Sequence, residues 1–307
     1  MWGGVNMVYI VTGGAGFIGS NLVRKIASGG NAVIVIDNLH TGNEKNLEGI
    51  DNVTFVKGDA SEILKIREDV SGVFHQGVYS SSPMYKENPL LVGEAVKQFT
   101  SVLEFCRKKD CGLVFASTSS LYNGIAPPHR EDAKLGICDY YSEARICMER
   151  MAALYGKLHG MRVAGMRYFS VYGPHEEHRG KYANLITQFL IGALKGEEPV
   201  VYGDGSQQRD FTYVDDVVSA NMLAMDNGAN GAFNVGTGKT YAINEMIALL
   251  GEAVGRKITP KYIENPVKNY VGITLADTSK AKTELGFEAK VSLKEGIGKI
   301  YGYYSKL

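Results

Sequence analysis

Tyr141 and Arg145 stand four residues apart in "DYYSEARICMER" (139–150). On a helix that spacing puts two side chains on one face. A free phenol has a pKa of about 10, so tyrosine acts as a base near neutrality only if its phenolate is stabilised. A fixed cation one turn away does this, and arginine is always charged. A hydroxyl to share the proton stands in "FASTSSLYN" (115–123), where Thr118 is the candidate and Ser117 and Ser119 are its neighbours.

A second pattern supplies a place for a cofactor. In "VYIVTGGAGFIGSNLV" (8–23) Gly13, Gly16 and Gly19 recur every third residue after an apolar run. The first glycine permits a tight turn, the second lets backbone approach a pyrophosphate, and the third packs helix on strand. The amides of the helix N-terminus then face the phosphates. A second strand ends in Asp37, where an acid accepts hydrogen bonds from the adenosine ribose. That acid repels a 2′-phosphate, and no Arg occurs in "DNLHTGN" (37–43), so NAD is expected rather than NADP. Asp59 ends a third strand and is a candidate near the adenine; a helix cap in "KGDASE" explains it equally well.

The elements that must position these groups follow from apolar patterning. "MVYIVTG", "NAVIVID", "VTFVKGD", "GVFHQG", "GLVFAST" and "RVAGMRYF" read as six short strands. Between them lie helices at 16–28, 91–107 and 141–160, the second with apolar residues at spacings of three and four. Near-continuous apolar strands alternating with helices imply an α/β, doubly wound parallel sheet covered on both faces. Ligands bind such sheets at the carboxyl ends of the strands. Residues 1–170 are therefore expected to form the dinucleotide-binding domain, with a returning segment near 209–230. Residues 171–307, where the regularity loosens, are expected to form mainly a smaller substrate lobe, including the strand in "GAFNVGTGK" (231–239).

Composition removes several function classes. Lys plus Arg and Asp plus Glu are both 33, which leaves no electrostatic footprint for nucleic acid or an anionic membrane. No apolar run approaches the roughly 18 residues of a membrane span. "MWGGVNM" lacks the basic-then-apolar order of a signal peptide, so a cytoplasmic location is expected. The four cysteines form no CxxC, and no metal is expected.

Six ordered blocks resemble the extended short-chain dehydrogenase/reductase family, in particular its nucleotide-sugar epimerases. "TGGAGFIGS" (12–20) is similar to that family's cofactor loop. "YSEAR" (141–145) sits where the family has Tyr-x-x-x-Lys, and "STSSLYN" (117–123) places Thr118 four residues before Tyr122. "RYFSVYGP" (167–174), "RDFTYVDDVV" (209–218) and "FNVGTGK" (233–239) complete the set. The resemblance implies a Rossmann-type sheet with a smaller C-terminal α/β lobe. It also implies a retained NAD and a homodimer built on the helices near 91–107 and 141–158. The implied reaction is epimerisation of a nucleotide sugar, with C4 of UDP-glucose and UDP-galactose as the expected case. Tyr141 would be the base, assisted by Arg145 and Thr118. The expected cofactor residues are Gly13, Gly16, Phe17, Ile18, Asp37, Asn38, Asp59, Ala60, Gln76, Gly77, Tyr141, Arg145 and Tyr168. Those expected to hold substrate are Ser80, Ser119, Ser170, Asn184, Leu185, Tyr202, Arg209 and Lys268.

The departures from the family pattern sharpen the reading. Arg145 replaces the lysine: it keeps the charge but cannot relay a proton. Ser170 stands where asparagine is frequent, and "NPVKNYVG" (265–272) replaces an arginine-containing clamp, with Lys268 as substitute. Ser119 and Ser120 occupy the positions of the Asp-Glu of related dehydratases, and Ser120 that of the Glu of related decarboxylases. Without those carboxylates simple epimerisation is left. His75 is expected to be a core or rim residue, and the charges of "HEEHRGK" (175–181) to be solvated on a surface loop. Two rivals stay open. "YGP…H-G" (172–180) is similar to a loop of ADP-heptose 6-epimerases, and a non-catalytic NAD sensor would tolerate Arg145 but has no need of Tyr141 and Thr118.

Overall fold

The computed structural model describes residues 7–266 and 271–307. Among these residues thirteen strands run in chain order: β1 (Val8–Thr12), β2 (Ala32–Asp37), β3 (Val53–Lys57), β4 (Gly72–His75), β5 (Gly112–Thr118), β6 (Val163–Tyr168), β7 (Val171–Tyr172), β8 (Val200–Tyr202), β9 (Gln208–Arg209), β10 (Thr212–Tyr213), β11 (Gly231–Val235), β12 (Tyr241–Ala242) and β13 (Lys261–Ile263). Among the described residues eight α-helices accompany them: α1 (Phe17–Ser28), α2 (Ser82–Glu87), α3 (Leu91–Lys109), α4 (Tyr140–His159), α5 (Leu185–Leu194), α6 (Val214–Asp226), α7 (Ile243–Val254) and α8 (Leu293–Tyr304).

Seven strands form one parallel sheet in the order β11-β6-β5-β4-β1-β2-β3. Chain direction along the sheet reverses between β1 and β4, which opens a crevice at their carboxyl ends. Successive side chains of each strand point to opposite faces. Tyr9 and Val11 therefore pack with Leu22, Val217 and Ala220 of α1 and α6. Ile10 faces Phe99, Val102, Leu103 and Met148 of α3 and α4. A third core, with Tyr172, Ile186, Leu190, Met246, Ile297 and Ile300, holds the C-terminal helices together beyond the crevice.

The seventh strand corrects the sequence reading. "GAFNV" was assigned to the smaller lobe, yet β11 pairs with β6 from Gly231↔Ala164 to Val235↔Tyr168 and extends the main sheet. Its apolar run is compatible with either place. Burial of Phe233 and Val235 against the α6 side decides it.

Candidate active site

The glycine turn is set by contact. Gly13 has φ 68°, and a Cβ there would lie 2.5 Å from Gly77 N. A Cβ on Gly19 would lie 2.0 Å from Gly13 O, so α1 packs on the turn only because the position is bare. Both loops, after β1 and after β4, thereby meet at the crevice. Asp37 ends β2 and is 7% exposed; its carboxylate accepts from Ala15 N at 3.0 Å and Leu39 N at 2.8 Å. Burial pushes its carboxyl upward, against the lowering effect of these backbone amides. Asp59 caps the turn after β3, accepting from Ser61 N at 2.7 Å, and it also lines the crevice. The cap is thus observed, and it leaves Asp59 in the crevice wall.

These residues line one cavity of about 380 Å³. Every expected cofactor residue contributes to its wall, and so do Thr118, Ser80, Ser119, Ser170 and Asn184. Asp37 and Thr118 end strands three places apart in the sheet, a separation of about 14 Å at roughly 4.8 Å per strand. The cavity is thus an elongated trough with its acidic end at β2 and β3 and Tyr141 near the ends of β5 and β6.

Tyr141 lies in the first turn of α4. Asp139 caps that helix, accepting from Ser142 N at 2.8 Å through one oxygen and from Ser82 Oγ at 2.5 Å through the other. The cap therefore ties α4 to the start of α2. Arg145 is 2% exposed and places its guanidinium carbon 4.8 Å from the centre of the Tyr141 ring. Its Nη2 donates to Tyr79 O at 2.7 Å and its Nη1 to Tyr85 Oη at 3.4 Å. Among the described residues it forms no ion pair, and its Nε has no partner. A buried cation held by neutral acceptors keeps its field available to whatever occupies the trough. Thr118 Oγ1 accepts from Ser120 N at 3.1 Å.

Behind this wall Ser117, Glu149, Arg167 and Tyr122 form one hydrogen-bonded chain. Glu149 accepts from Ser117 Oγ at 2.6 Å and twice from Arg167, whose Nη1 donates to Tyr122 Oη at 2.7 Å. Burial pushes the Tyr122 phenol up to about 12. On the floor, Tyr168 Oη donates to Gln76 Oε1 at 3.0 Å and accepts from Asn221 Nδ2 at 2.9 Å. His75 is wholly buried, as a core residue should be, with Nδ1 2.7 Å from Thr12 Oγ1 and Nε2 without a partner among the described residues. Burial first, and the charge of Arg145 second, lower its pKa to about 3.

The loop at 175–181 overturns its expectation. Glu176 is fully buried, and Arg179 lies in the cavity wall with a side chain 16% exposed. Asn184, expected at the substrate, caps α5 by accepting from Ile186 N at 3.0 Å while also lining the cavity. Ser170 takes φ 32°, a left-handed conformation that asparagine tolerates better than serine. Three expected substrate residues stand outside the wall. Leu185 begins α5, Tyr202 ends β8 at 37% exposure, and Arg209 Nη1 donates to Gln208 O at 2.8 Å and Gly272 O at 3.2 Å. Lys268 lies outside the described residues. Asp139, Tyr85 and Arg179 were not anticipated, although an Asp just before a helical pattern is a legible cap.

Residues 9–236 match the model of the NAD dependent epimerase/dehydratase family. The chain belongs to this family. Among its relatives, the UDP-glucuronate 4-epimerase of Thermodesulfobacterium geofontis is 32% identical over 308 residues, covering 94% of this chain and 93% of that protein. The structure of a UDP-glucose 4-epimerase with UDP-glucose from Thermotoga maritima is 33% identical, with TM-score 0.92 over 98% of this chain and 99% of that one. A UDP-N-acetylglucosamine 4-epimerase from Methanobrevibacter ruminantium, in complex with UDP-N-acetylmuramic acid, is 29% identical, with TM-score 0.93 over 98% and 99%. The cofactor is NAD, and the trough fits it: the bare glycine turn leaves room for a pyrophosphate, and Asp37 lies in the wall at the end of β2, where an acid would accept from the ribose. No helix among the described residues is long and apolar enough to cross a membrane. No group of three or more His, Cys, Asp or Glu among them is placed to hold a metal ion.

Proposed function

We propose that this protein inverts C4 of a UDP-hexose, interconverting UDP-glucose and UDP-galactose. The observation that carries the reading is the meeting of Tyr141, Arg145 and Thr118 in the same trough as the glycine turn. When bound, NAD supplies the hydride acceptor and donor that such an inversion needs. Loss and return of the sugar's hydroxyl proton fall to Tyr141, with the Thr118 hydroxyl sharing it. Arg145 contributes fixed positive charge against the phenolate, and Tyr79 O and Tyr85 Oη hold that charge in place. Ser119 and Ser120 supply no carboxylate for loss of water or carbon dioxide. Ser80, Ser170 and Asn184 would contact the sugar or its diphosphate from the trough. Leu185, Tyr202, Arg209 and Lys268 would complete the nucleotide end.

We also propose a homodimer through the outer faces of α3 and α4, where Leu154 is 43% and Leu158 62% exposed. A monomer mass by light scattering would remove it. The function is tested with a panel of UDP-, ADP-, GDP- and dTDP-sugars and separation of products. Conversion of UDP-glucose to UDP-galactose supports the reading. Turnover confined to an ADP-heptose would move the reaction to another carbon, and no turnover with NAD intact would leave a sensor.

A further inference from the structure

Two thiols outside the trough meet where α3 runs into β5. Cys106 lies in the last turn of α3, and Asp110, with φ 52°, turns the chain left-handed just past the helix end. Cys106 O accepts from Asp110 N and, at 3.1 Å, from Cys111 N. This closure is that of a Schellman cap, in which the side chains at the two ends of the turn commonly touch. Here both are cysteines, and the Cys106 thiol is hydrogen-bonded to the Cys111 sulfur. Both sit in the core between α3, α4 and the sheet, and both are free thiols.

The two sulfurs are not equivalent. Cys106 is wholly buried, whereas Cys111 is 7% exposed. A cavity of about 240 Å³ opens at the amino ends of β1, β4 and β5 with Gly112, Leu113 and Arg162 in its wall, so open space reaches the residue after Cys111. Burial pushes the Cys106 thiol well up, and its bond to Cys111 adds to the rise. The same bond lowers the Cys111 thiol against its own burial, and the Arg162 charge acts in the same direction. The thiolate is the reactive form of cysteine. Cys111 is thus the sulfur that reacts first, and Cys106 is held beside it to close the bond.

We propose that Cys111 and Cys106 are an attacking and resolving pair for peroxides, closing to a disulfide that staples the end of α3 to the start of β5. The Cys111 sulfur attacks one peroxide oxygen, the O–O bond breaks, and the thiol proton leaves with the other oxygen as water. The Cys106 sulfur then attacks the sulfenic acid on Cys111 and displaces its oxygen as a second water. Two thiols give up two electrons and two protons, and hydrogen peroxide becomes two waters. A dithiol such as dithiothreitol reverses the bond by exchange. In the test the folded protein is treated with hydrogen peroxide, remaining thiols are blocked with iodoacetamide in denaturant, and the chain is cut with trypsin. Trypsin cuts after Arg107, Lys108 and Lys109, so the disulfide is read by mass as fragments 98–107 and 110–130 joined. Wild type is expected to give the joined fragments, separated again by dithiothreitol. In Cys106→Ser, Cys111 should accumulate as a sulfenic acid that dimedone traps. In Cys111→Ser, the Cys106 thiol should be lost roughly tenfold more slowly than in wild type. Free fragments with both thiols alkylated overturn the proposal in wild type alone, whether or not the variants fold. Cys111 oxidised beyond the sulfenic acid beside an intact Cys106 overturns it too, as does a disulfide from either to Cys138 or Cys147. Loss of the Cys106 thiol at an unchanged rate in Cys111→Ser overturns the assigned order, and the proposal with it.

Discussion

His75 ties the stability of the fold to pH in a way that can be isolated. Thr12 Oγ1 accepts from Gly77 N at 3.2 Å and lies 2.7 Å from His75 Nδ1. The Thr12–His75 bond can form with either neutral tautomer, but in the imidazolium both nitrogens carry a proton, and Nε2–H would be buried without an acceptor among the described residues. Burial and the Arg145 charge lower the pKa from 6.5 to about 3. A depressed histidine is neutral in the folded chain but takes a proton in the unfolded one below about 6.5. Its contribution to stability is therefore complete above that value and is lost as pH falls toward 3. Linkage at 1.36 kcal/mol per pH unit gives a loss of about 2 kcal/mol between pH 7 and pH 5. Buried carboxylates with raised pKa values, Glu176 and Asp210 among them, act in the opposite sense, so the wild-type curve alone does not isolate the term. His75→Asn keeps an acceptor toward Thr12 and does not titrate. Urea unfolding of both proteins at several pH values gives the difference, in which the carboxylates cancel. That difference should shrink by about 2 kcal/mol from pH 7 to pH 5 in favour of the variant. A difference constant to within about 0.5 kcal/mol would refute the neutral, buried histidine.

Two further substitutions test the scaffold. Asp139→Ala removes the α4 cap and the Ser82 tie, a loss of about 2 kcal/mol by urea unfolding, with kcat falling because Tyr141 sits in the released turn; unchanged stability would contradict the cap. Glu176→Ala leaves Arg179, Asn184 N and Thr187 Oγ1 without their acceptor and should cost about 3 kcal/mol in the same assay. A loss under about 0.5 kcal/mol would restore the solvated-loop reading of residues 175–181.

Much of the trough was legible because its parts are local. The turn Gly13–Gly19, the acid Asp37 at the end of the next strand and the Tyr141–Arg145 spacing each need one element and its neighbour. What escaped depends on residues distant in sequence. Glu176 is buried because Thr187, Asn184 and Tyr304 converge on it, and its charge gave the opposite signal. The partners of Arg145, Tyr79 O and Tyr85 Oη, lie 66 and 60 residues away, so spacing showed the cation but not its support. β11 reads as an ordinary apolar strand and joins β6 only through the tertiary fold.

The proton chemistry assigned to Tyr141 admits a direct measurement. Tyr141→Phe removes one oxygen from a side chain 8% exposed, beside Arg145 and at the cofactor trough. The protein should be purified with its NAD, the cofactor quantified after release, and turnover of UDP-glucose followed by product separation. The account predicts undiminished NAD with turnover reduced on the order of a thousandfold. Turnover within a few-fold of wild type, with NAD equally bound, would contradict it.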